Sequence, residues 1–329
     1  MEISILGGGS WATAMAHNLS FKHDVLLYVR NKEDCDNINI HHENKKYLKG
    51  YKLKENIRAT QDIKQCFKNR IIVNAIPTQN IRSVLEEFSD FFPKDAVIVN
   101  LSKGIEKGSG KRISEIFEQY LTDCDYTCLS GPSHAEEVID NKYTSVVISS
   151  KNEELARELQ TIFSSDFLRI YTNTDLVGVE FGGAVKNVLA LGIGMLDGLN
   201  MGDNPKAALM TRGIHEMARF CIAMGGERNT LYGLAGLGDL IVTATSNHSR
   251  NRNAGELLAQ GCSIEKLENE IKMVVEGIPT AVALYEISKE KNIYMPITKV
   301  IYQILYENLS LYDAAISLMS RADKEEFDF

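Results

Sequence analysis

A short β-branched run that meets three glycines and passes straight into helix formers constrains this chain more than any other stretch. It is Ile3-Ser4-Ile5-Leu6-Gly7-Gly8-Gly9-Ser10-Trp11-Ala12-Thr13-Ala14-Met15-Ala16. The pattern reads as strand, tight turn, helix. Its spacing, Gly7-x-Gly9-x-x-Ala12, fits the dinucleotide fingerprint in the G-x-G-x-x-A form. Gly7 allows the sharp turn out of the strand. Gly9 has no Cβ, so a pyrophosphate can approach the backbone, and Ala12 lets the helix pack close to a sheet. The free N–H groups and the positive end of the helix would face the phosphates. An ordinary glycine turn between packed elements has the same letters; the placement after a strand and before a helix favours the dinucleotide reading.

The next part of the chain repeats the strand–helix alternation. His23–Arg30 reads as the second strand. Where an NAD-specific site would end this strand in an acid that holds the ribose 2′-hydroxyl, Arg30 stands, with Lys32 nearby. A cation there suits the 2′-phosphate of NADPH; a solvated strand-end arginine is the plain alternative. Residues 31–68 are polar and read as helix and surface loop. Arg70–Pro77 and Ala96–Leu101 are buried-strand runs. The second delivers Ser102-Lys103-Gly104 to the carboxyl end of the sheet, where ligands of doubly wound folds collect. Tyr126–Leu129 is a further strand, followed by Ser130-Gly131-Pro132-Ser133-His134-Ala135, a small-residue turn in which Ser133 is the expected helix cap. His134 has no assured carboxylate partner and reads as incidental rather than catalytic. Thr144–Ser149, a helix over Glu153–Phe163 and Leu168–Tyr171 complete the pattern, which predicts a parallel sheet with crossover helices.

Near residue 180 the pattern changes. Gly182–Leu196 is apolar or small at almost every position and predicts a helix buried nearly all round. Beyond it the segments Lys206–Met224, Ala254–Gln260, Ile264–Lys272, Thr280–Lys289, Ile297–Glu307 and Leu311–Met319 read as helices, with only Leu240–Ala244 ambiguous. The expected division is therefore 1–180, a dinucleotide-binding α/β domain, and 181–329, a helical substrate and catalytic domain. At 329 residues the chain is long enough for two such cores.

The net charge of −8 argues against a nucleic-acid or anionic-membrane surface. An anionic ligand must then be held by a local cluster. The six cysteines are scattered, with no Cys-x-x-Cys pair and no Cys/His spacing for a metal, which suits a reducing, cytoplasmic compartment. The chain start is a strand and not a basic-then-apolar signal, and no apolar run is expected to reach membrane-span length.

Lys186 is the strongest catalytic candidate. It is the only charged side chain between Glu180 and Asp197. Burial of a lysine is costly unless it is paired or deprotonated, and desolvation favours its neutral form, which suits general acid/base work near neutral pH. The plain alternative is a lysine that snorkels out past the helix end. A second constellation is Gly236-Leu237-Gly238-Asp239 with Thr243 and the run Asn247-His248-Ser249-Arg250-Asn251-Arg252-Asn253. Its guanidinium forks and N–H donors match a phosphate dianion; a solvated polar loop is the competing reading. A third is the apolar run Val274-Val275 that ends in Glu276-Gly277.

Taken in order, Gly7-x-Gly9-Ser10-Trp11-Ala12-Thr13-Ala14, Ser102-Lys103-Gly104, Ser130-Gly131-Pro132-Ser133, Gly182-Gly183-Ala184-Val185-Lys186-Asn187, Gly236-Leu237-Gly238-Asp239-Leu240, Ser249-Arg250-Asn251-Arg252 and Val274-Val275-Glu276-Gly277 resemble the bacterial-type NAD(P)-dependent glycerol-3-phosphate dehydrogenases from end to end. The resemblance implies a Rossmann-type doubly wound α/β sheet plus an all-α C-terminal domain. It implies reversible reduction of dihydroxyacetone phosphate to sn-glycerol 3-phosphate with NADP(H) and/or NAD(H), feeding glycerophospholipid synthesis. Gly7, Gly9, Ser10, Trp11, Arg30, Lys103, Ala135, Arg250, Val274 and Glu276 are implied on the cofactor. Lys103, Gly131, Ser133, Lys186, Asp239, Ser249, Arg250 and Asn251 are implied on the substrate, with Lys186 as proton acceptor in the oxidation direction. A homodimer is reasonable on the same ground. Two positions depart from the family: His134, where phenylalanine is usual, and Ala12, where glycine is frequent. The rival readings are a Rossmann dehydrogenase of a hydroxy acid or sugar acid, and a non-catalytic NADPH sensor.

Overall fold

The protein is described by a computed structural model that covers residues 1–271, 273–320 and 325–326. It divides into two compact units, Met1–Lys103 with Arg112–Leu176, and Gly104–Lys111 with Val177–Phe329. The residue 180/181 position lies inside one continuous helix, Leu176–Gly198, and the short segment 104–111 belongs to the second unit.

The first unit is built on eight strands: β1 (Glu2–Leu6), β2 (Asp24–Tyr28), β3 (Ile57–Thr60), β4 (Ile71–Asn74), β5 (Val97–Asn100), β6 (Asp125–Ser130), β7 (Thr144–Ser149) and β8 (Leu168–Asn173). Their order is β3-β2-β1-β4-β5-β6-β7-β8. β1 is flanked by β2 and β4, with Leu6 opposite both Tyr28 and Asn74. The chain therefore winds outward from β1, returns, and continues on the other side. The crevice that this reversal opens at the carboxyl ends of β1 and β4 is where doubly wound folds bind ligands. Successive residues feed opposite faces: Ile3, Ile5, Ile71 and Val73 enter one core, Leu6, Ile72 and Ile98 the other. Burial on both faces is why these strands read as unbroken apolar runs.

Two features differ from expectation. β3 lies in the stretch that reads as helix and surface loop; it is an edge strand, Ile57-Arg58-Ala59-Thr60, whose apolar–polar alternation lasts only four residues and is too short to stand out. The sheet is not wholly parallel either, because β6 and β7 pair antiparallel, and β7 and β8 run together against the rest.

The second unit is helical among its described residues. Leu240–Ala244, ambiguous in sequence, belongs to the helix Asp239–Thr245. The other helices include Asp203–Ala223, Arg250–Ala259, Ile264–Ile271, Gly277–Glu290, Pro296–Tyr306 and Leu311–Met319. Lys272, the expected end of one helix, lies outside the described residues. The central helix, Leu176–Gly198, corrects one expectation. Its 23 residues are long and apolar enough to cross a membrane, but 94% of its apolar window is buried inside the protein, as in a core helix. It packs on the helix Arg250–Ala259 through glycines. A Cβ on Gly194 would lie 1.9 Å from the Arg252 carbonyl oxygen, and one on Gly255 would lie 2.1 Å from that of Leu191.

Glu216 shows how this unit spends a buried charge. It is 2% exposed and accepts from the N–H of Ile297 (2.8 Å), the N–H of Thr298 (2.8 Å) and the Thr298 hydroxyl (2.7 Å), so it caps the helix Pro296–Tyr306 from a neighbouring helix. Burial pushes its carboxyl pKa up, against these three bonds. A raised carboxyl pKa makes the charged form a net cost above the ordinary range. Even so, Glu216→Gln should lower stability by about 1–3 kcal/mol, because the amide NH₂ would confront a buried N–H and leave it unpaired. Chemical denaturation at pH 7 measures this, and unchanged stability would disprove the capping role.

Candidate functional site

The first constellation sits at the β1 turn. Gly7 has φ +130°, and a Cβ there would come within 2.9 Å of the Ala75 carbonyl oxygen. The turn therefore tolerates no side chain. At Gly9 a Cβ would meet nothing within 4 Å. That side is open, as the approach of a phosphate requires. Gly9 is the N-cap of the helix Ser10–Leu19, which carries no acid in its first turn. Its carbonyl accepts the Thr13 N–H at 3.0 Å and the Thr13 hydroxyl at 2.9 Å. The N–H groups of Ser10, Trp11 and Ala12 precede the first intrahelical bond and lack helical acceptors. Trp11 adds a buried indole Nε1 with no hydrogen-bond partner among the described residues. Ala12 is 1% exposed against the sheet, as the fingerprint requires.

Arg30 is exposed two residues past the end of β2. Its carbonyl accepts from Gln61 at 3.0 Å, and its guanidinium forms no ion pair among the described residues. Lys32, by contrast, is tied to Asp36 at 2.5 Å. Arg30 is thus the cation of this pair that is available to an anion.

A second cluster gathers at the ends of β5 and β6. Lys103 Nζ donates to the Gly131 carbonyl at 2.9 Å, and the Ser133 hydroxyl donates to the same oxygen at 2.9 Å. Lys103 is placed by a buried amide ladder. Asn74 donates to Asn100 at 2.8 Å, Asn100 donates to the Ser102 carbonyl at 3.0 Å, and the Ser102 hydroxyl donates to the Ile76 carbonyl at 2.6 Å. Ser133 is not the helix cap the sequence predicts. The N-cap of the helix Ala135–Ile139 is His134, which makes no side-chain capping bond, while the Ser133 hydroxyl folds back on Gly131. Ala135 is buried at the start of this helix.

In the second unit Lys186 is buried at 6% exposure, which removes the snorkelling alternative. Its Nζ lies 3.0 Å from Asp239 Oδ1 and donates to Thr243 Oγ1 at 2.7 Å. Thr243 in turn donates to Asp239 at 3.3 Å. Asp239 and Thr243 are one turn apart on the helix Asp239–Thr245, so they face Lys186 together. The preceding Leu234–Gly238 forms a π-helical turn, a local insertion that recurs at functional sites. The closed triangle offsets the cost of burying the ammonium and fixes the direction of Nζ.

Ser249, Arg250 and Asn251 fall at the N-terminus of the helix Arg250–Ala259, with Ser249 as its cap, accepting from the Arg252 N–H at 3.2 Å. The sequence points to guanidinium forks and N–H donors; the structure adds that this run opens a helix N-terminus with no acid in its first turn, a ready site for an anion. Asn251 bridges the Asn187 side chain and the Gly277 N–H, both at 2.9 Å. Arg250 donates to the Val274 carbonyl at 3.2 Å, which brings the third stretch alongside the second, and Glu276 precedes the helix Gly277–Glu290. Arg252 is spent structurally on Asp197, Glu256 and Asn247. Missed from the sequence is Asn44, a buried loop residue that bonds to the Gly7–Gly9 turn. A single polar residue in an aperiodic stretch gives no local signal.

Comparison with known proteins bears on what these constellations serve. Residues 2–156 match the family described as NAD-dependent glycerol-3-phosphate dehydrogenase N-terminus, and residues 175–315 match its C-terminus. A glycerol-3-phosphate dehydrogenase [NAD(P)+] of Clostridium botulinum is 46% identical over 99% of both chains. One from Staphylococcus aureus is 44% identical, again over 99% of each. The crystal structure of glycerol-3-phosphate dehydrogenase from Coxiella burnetii superposes with a TM-score of 0.93 at 34% identity, over 97% of this chain and 99% of that one.

Proposed function

This chain belongs to the NAD-dependent glycerol-3-phosphate dehydrogenase family, and we propose that it interconverts dihydroxyacetone phosphate and sn-glycerol 3-phosphate. The observation that carries the reading is the buried Lys186 ammonium, held 3.0 Å from Asp239 and 2.7 Å from Thr243. The open side of Gly9 and the indole Nε1 of Trp11 fit a dinucleotide. Bound there, a reduced nicotinamide supplies the hydride. Lys186 gives a proton from Nζ to the substrate carbonyl oxygen in reduction and takes it back in oxidation. Asp239 and Thr243 hold Nζ in position. Ser249, Arg250 and Asn251 grip the substrate phosphate, and this remote binding energy orients the reacting carbon.

Gly7, Gly9, Ser10, Trp11, Arg30, Lys103 and Ala135 are assigned to the cofactor, with Arg250, Val274 and Glu276. Lys103, Gly131, Ser133 and Asp239 are assigned to the substrate, with Arg250 serving both. A cytoplasmic homodimer that supplies glycerol phosphate for membrane lipids, with no nucleic-acid partner or membrane insertion, completes the reading. The six free thiols suit a reducing compartment.

The test follows loss of reduced-nicotinamide absorbance with dihydroxyacetone phosphate, using NADPH and NADH side by side, against a panel of hydroxy- and keto-acid substrates. Oxidation confined to the triose phosphate supports the reading. Turnover of a carboxylate substrate instead would overturn it, and no turnover by folded, NADPH-binding protein would favour a sensor. Arg30→Asp should raise the KM for NADPH by about tenfold to a hundredfold, the scale of a charge-assisted hydrogen bond, and leave that for NADH within threefold. Equal effects on both cofactors would remove Arg30 from the 2′-phosphate.

A further inference from the structure

We propose that Asn44 is a positioning residue for cofactor binding, which aims the peptide N–H groups of the Gly7–Gly9 turn at the pyrophosphate. The proposal rests on the dinucleotide reading of that turn and adds a residue outside the fingerprint. Asn44 is 2% exposed. Its Nδ2 donates to the Gly8 carbonyl at 2.9 Å and to Thr13 Oγ1 at 2.8 Å, and its Oδ1 accepts the Tyr47 N–H at 3.3 Å. The amide orientation is dictated by these partners, because a flipped group would set oxygen against the Gly8 carbonyl.

The geometry has a consequence for an anion. Across a trans peptide, the carbonyl of one residue and the N–H of the next point in opposite directions. Asn44 draws the Gly8 carbonyl to itself, so the Gly9 N–H is turned the other way. The Thr13 hydroxyl, held by Asn44, donates to the Gly9 carbonyl at 2.9 Å and turns the Ser10 N–H in the same manner. Two carbonyl dipoles that would repel a pyrophosphate are thereby fastened away from it, and two donors are presented. The turn needs this restraint because Gly9 has open space around it and no side chain of its own to limit its motion.

Asn44 is itself firmly carried. Its carbonyl accepts the Leu48 N–H at 2.9 Å, the His42 carbonyl accepts the Leu53 N–H at 2.8 Å, and Leu48 and Leu53 are buried in the core beneath the loop. Removal of the Asn44 amide therefore leaves the loop's anchors in place.

Binding of NADPH is read directly by quenching of Trp11, the only tryptophan in the chain, and kinetics supply the second readout. Asn44→Ala should weaken NADPH binding at least tenfold and raise its KM in parallel, with the KM for dihydroxyacetone phosphate and the kcat at saturating NADPH within twofold of wild type. Asn44→Asp, which has the same shape but no donors, should weaken binding further. Thr13→Val keeps the packing and removes only the relay, so it should move the NADPH KM in the same direction by a smaller factor. A residue that served only folding would instead lower kcat with the active fraction and leave both KM values unchanged; that result, or unaltered NADPH affinity in any of the three folded variants, overturns the proposal. Wild-type protein that fails to bind NADPH at all would overturn the dinucleotide reading, and the proposal with it.

Discussion

Lys186→Ala is expected to lose about 10²–10⁴-fold in kcat, the usual contribution of a positioned acid/base, while the affinity for NADPH barely moves. The variant also leaves Asp239, 2% exposed, without its ammonium partner. Breaking a buried ion pair by removal of one partner costs about 3–5 kcal/mol, so the single variant should also be less stable. The two effects separate in the double variant Lys186→Ala/Asp239→Asn. Removal of the remaining buried charge should restore much of the melting temperature, whereas turnover should stay at the single variant's level because no proton donor has returned. Single-turnover rates and thermal melts measure both. Near-normal turnover in either variant would dismiss Lys186 as the acid/base, and recovery of turnover in the double variant would reassign the defect to folding.

Gly194→Ala should be the most damaging single methyl group in the second unit. Gly to Ala inside a helix ordinarily stabilises by about 1 kcal/mol. Here the added Cβ would fall 1.9 Å from the Arg252 carbonyl oxygen, and backbone cannot swing aside as a side-chain tip can. Overpacking typically costs about 1–3 kcal/mol and occasionally more. A backbone clash between two helices belongs at the top of that range or above it, a large share of the about 5–15 kcal/mol by which a protein is stable. Gly192→Ala on the same helix is the matched control. Its Cβ would meet the Cδ1 of Ile301 at 3.0 Å, a methyl that can rotate away. The control should be near neutral by urea denaturation. If the two variants lost the same stability, the tight seam between these helices would not be a determinant of the fold.

The elements legible in sequence are those whose side chains repeat with a period or break it sharply. β1, its glycine turn and the following helix announce themselves, as do β4, β5 and β6, whose apolar runs are buried on both faces. The buried Lys186 is visible because it interrupts an apolar helix. β3 is not, because an alternation of only four residues at a sheet edge is too short to be told from a loop. The antiparallel pairing of β6 with β7 is equally silent, since strand direction is decided by tertiary placement. In the site, residue identities are legible but partnerships are not. Nothing local says that Arg252 is consumed by Asp197 while Arg250 turns to the Val274 carbonyl. Ser133 reads as a cap from its position, yet its hydroxyl finds a nearer acceptor in Gly131.

The segment Gly104–Lys111 is made early in the chain but belongs to the second unit, where Ile105 is fully buried in a core otherwise supplied by residues from Phe181 onward. During synthesis at about 5–20 residues per second, Ile105 emerges roughly 10–40 s before Ile301, one of the last members of that core. Strands β1 to β8 can assemble in the interval, while this one side chain waits for a core that does not yet exist. The second unit therefore cannot be reproduced by expressing the carboxyl-terminal stretch alone: residues 177–329 would fold around the hole that Ile105 fills.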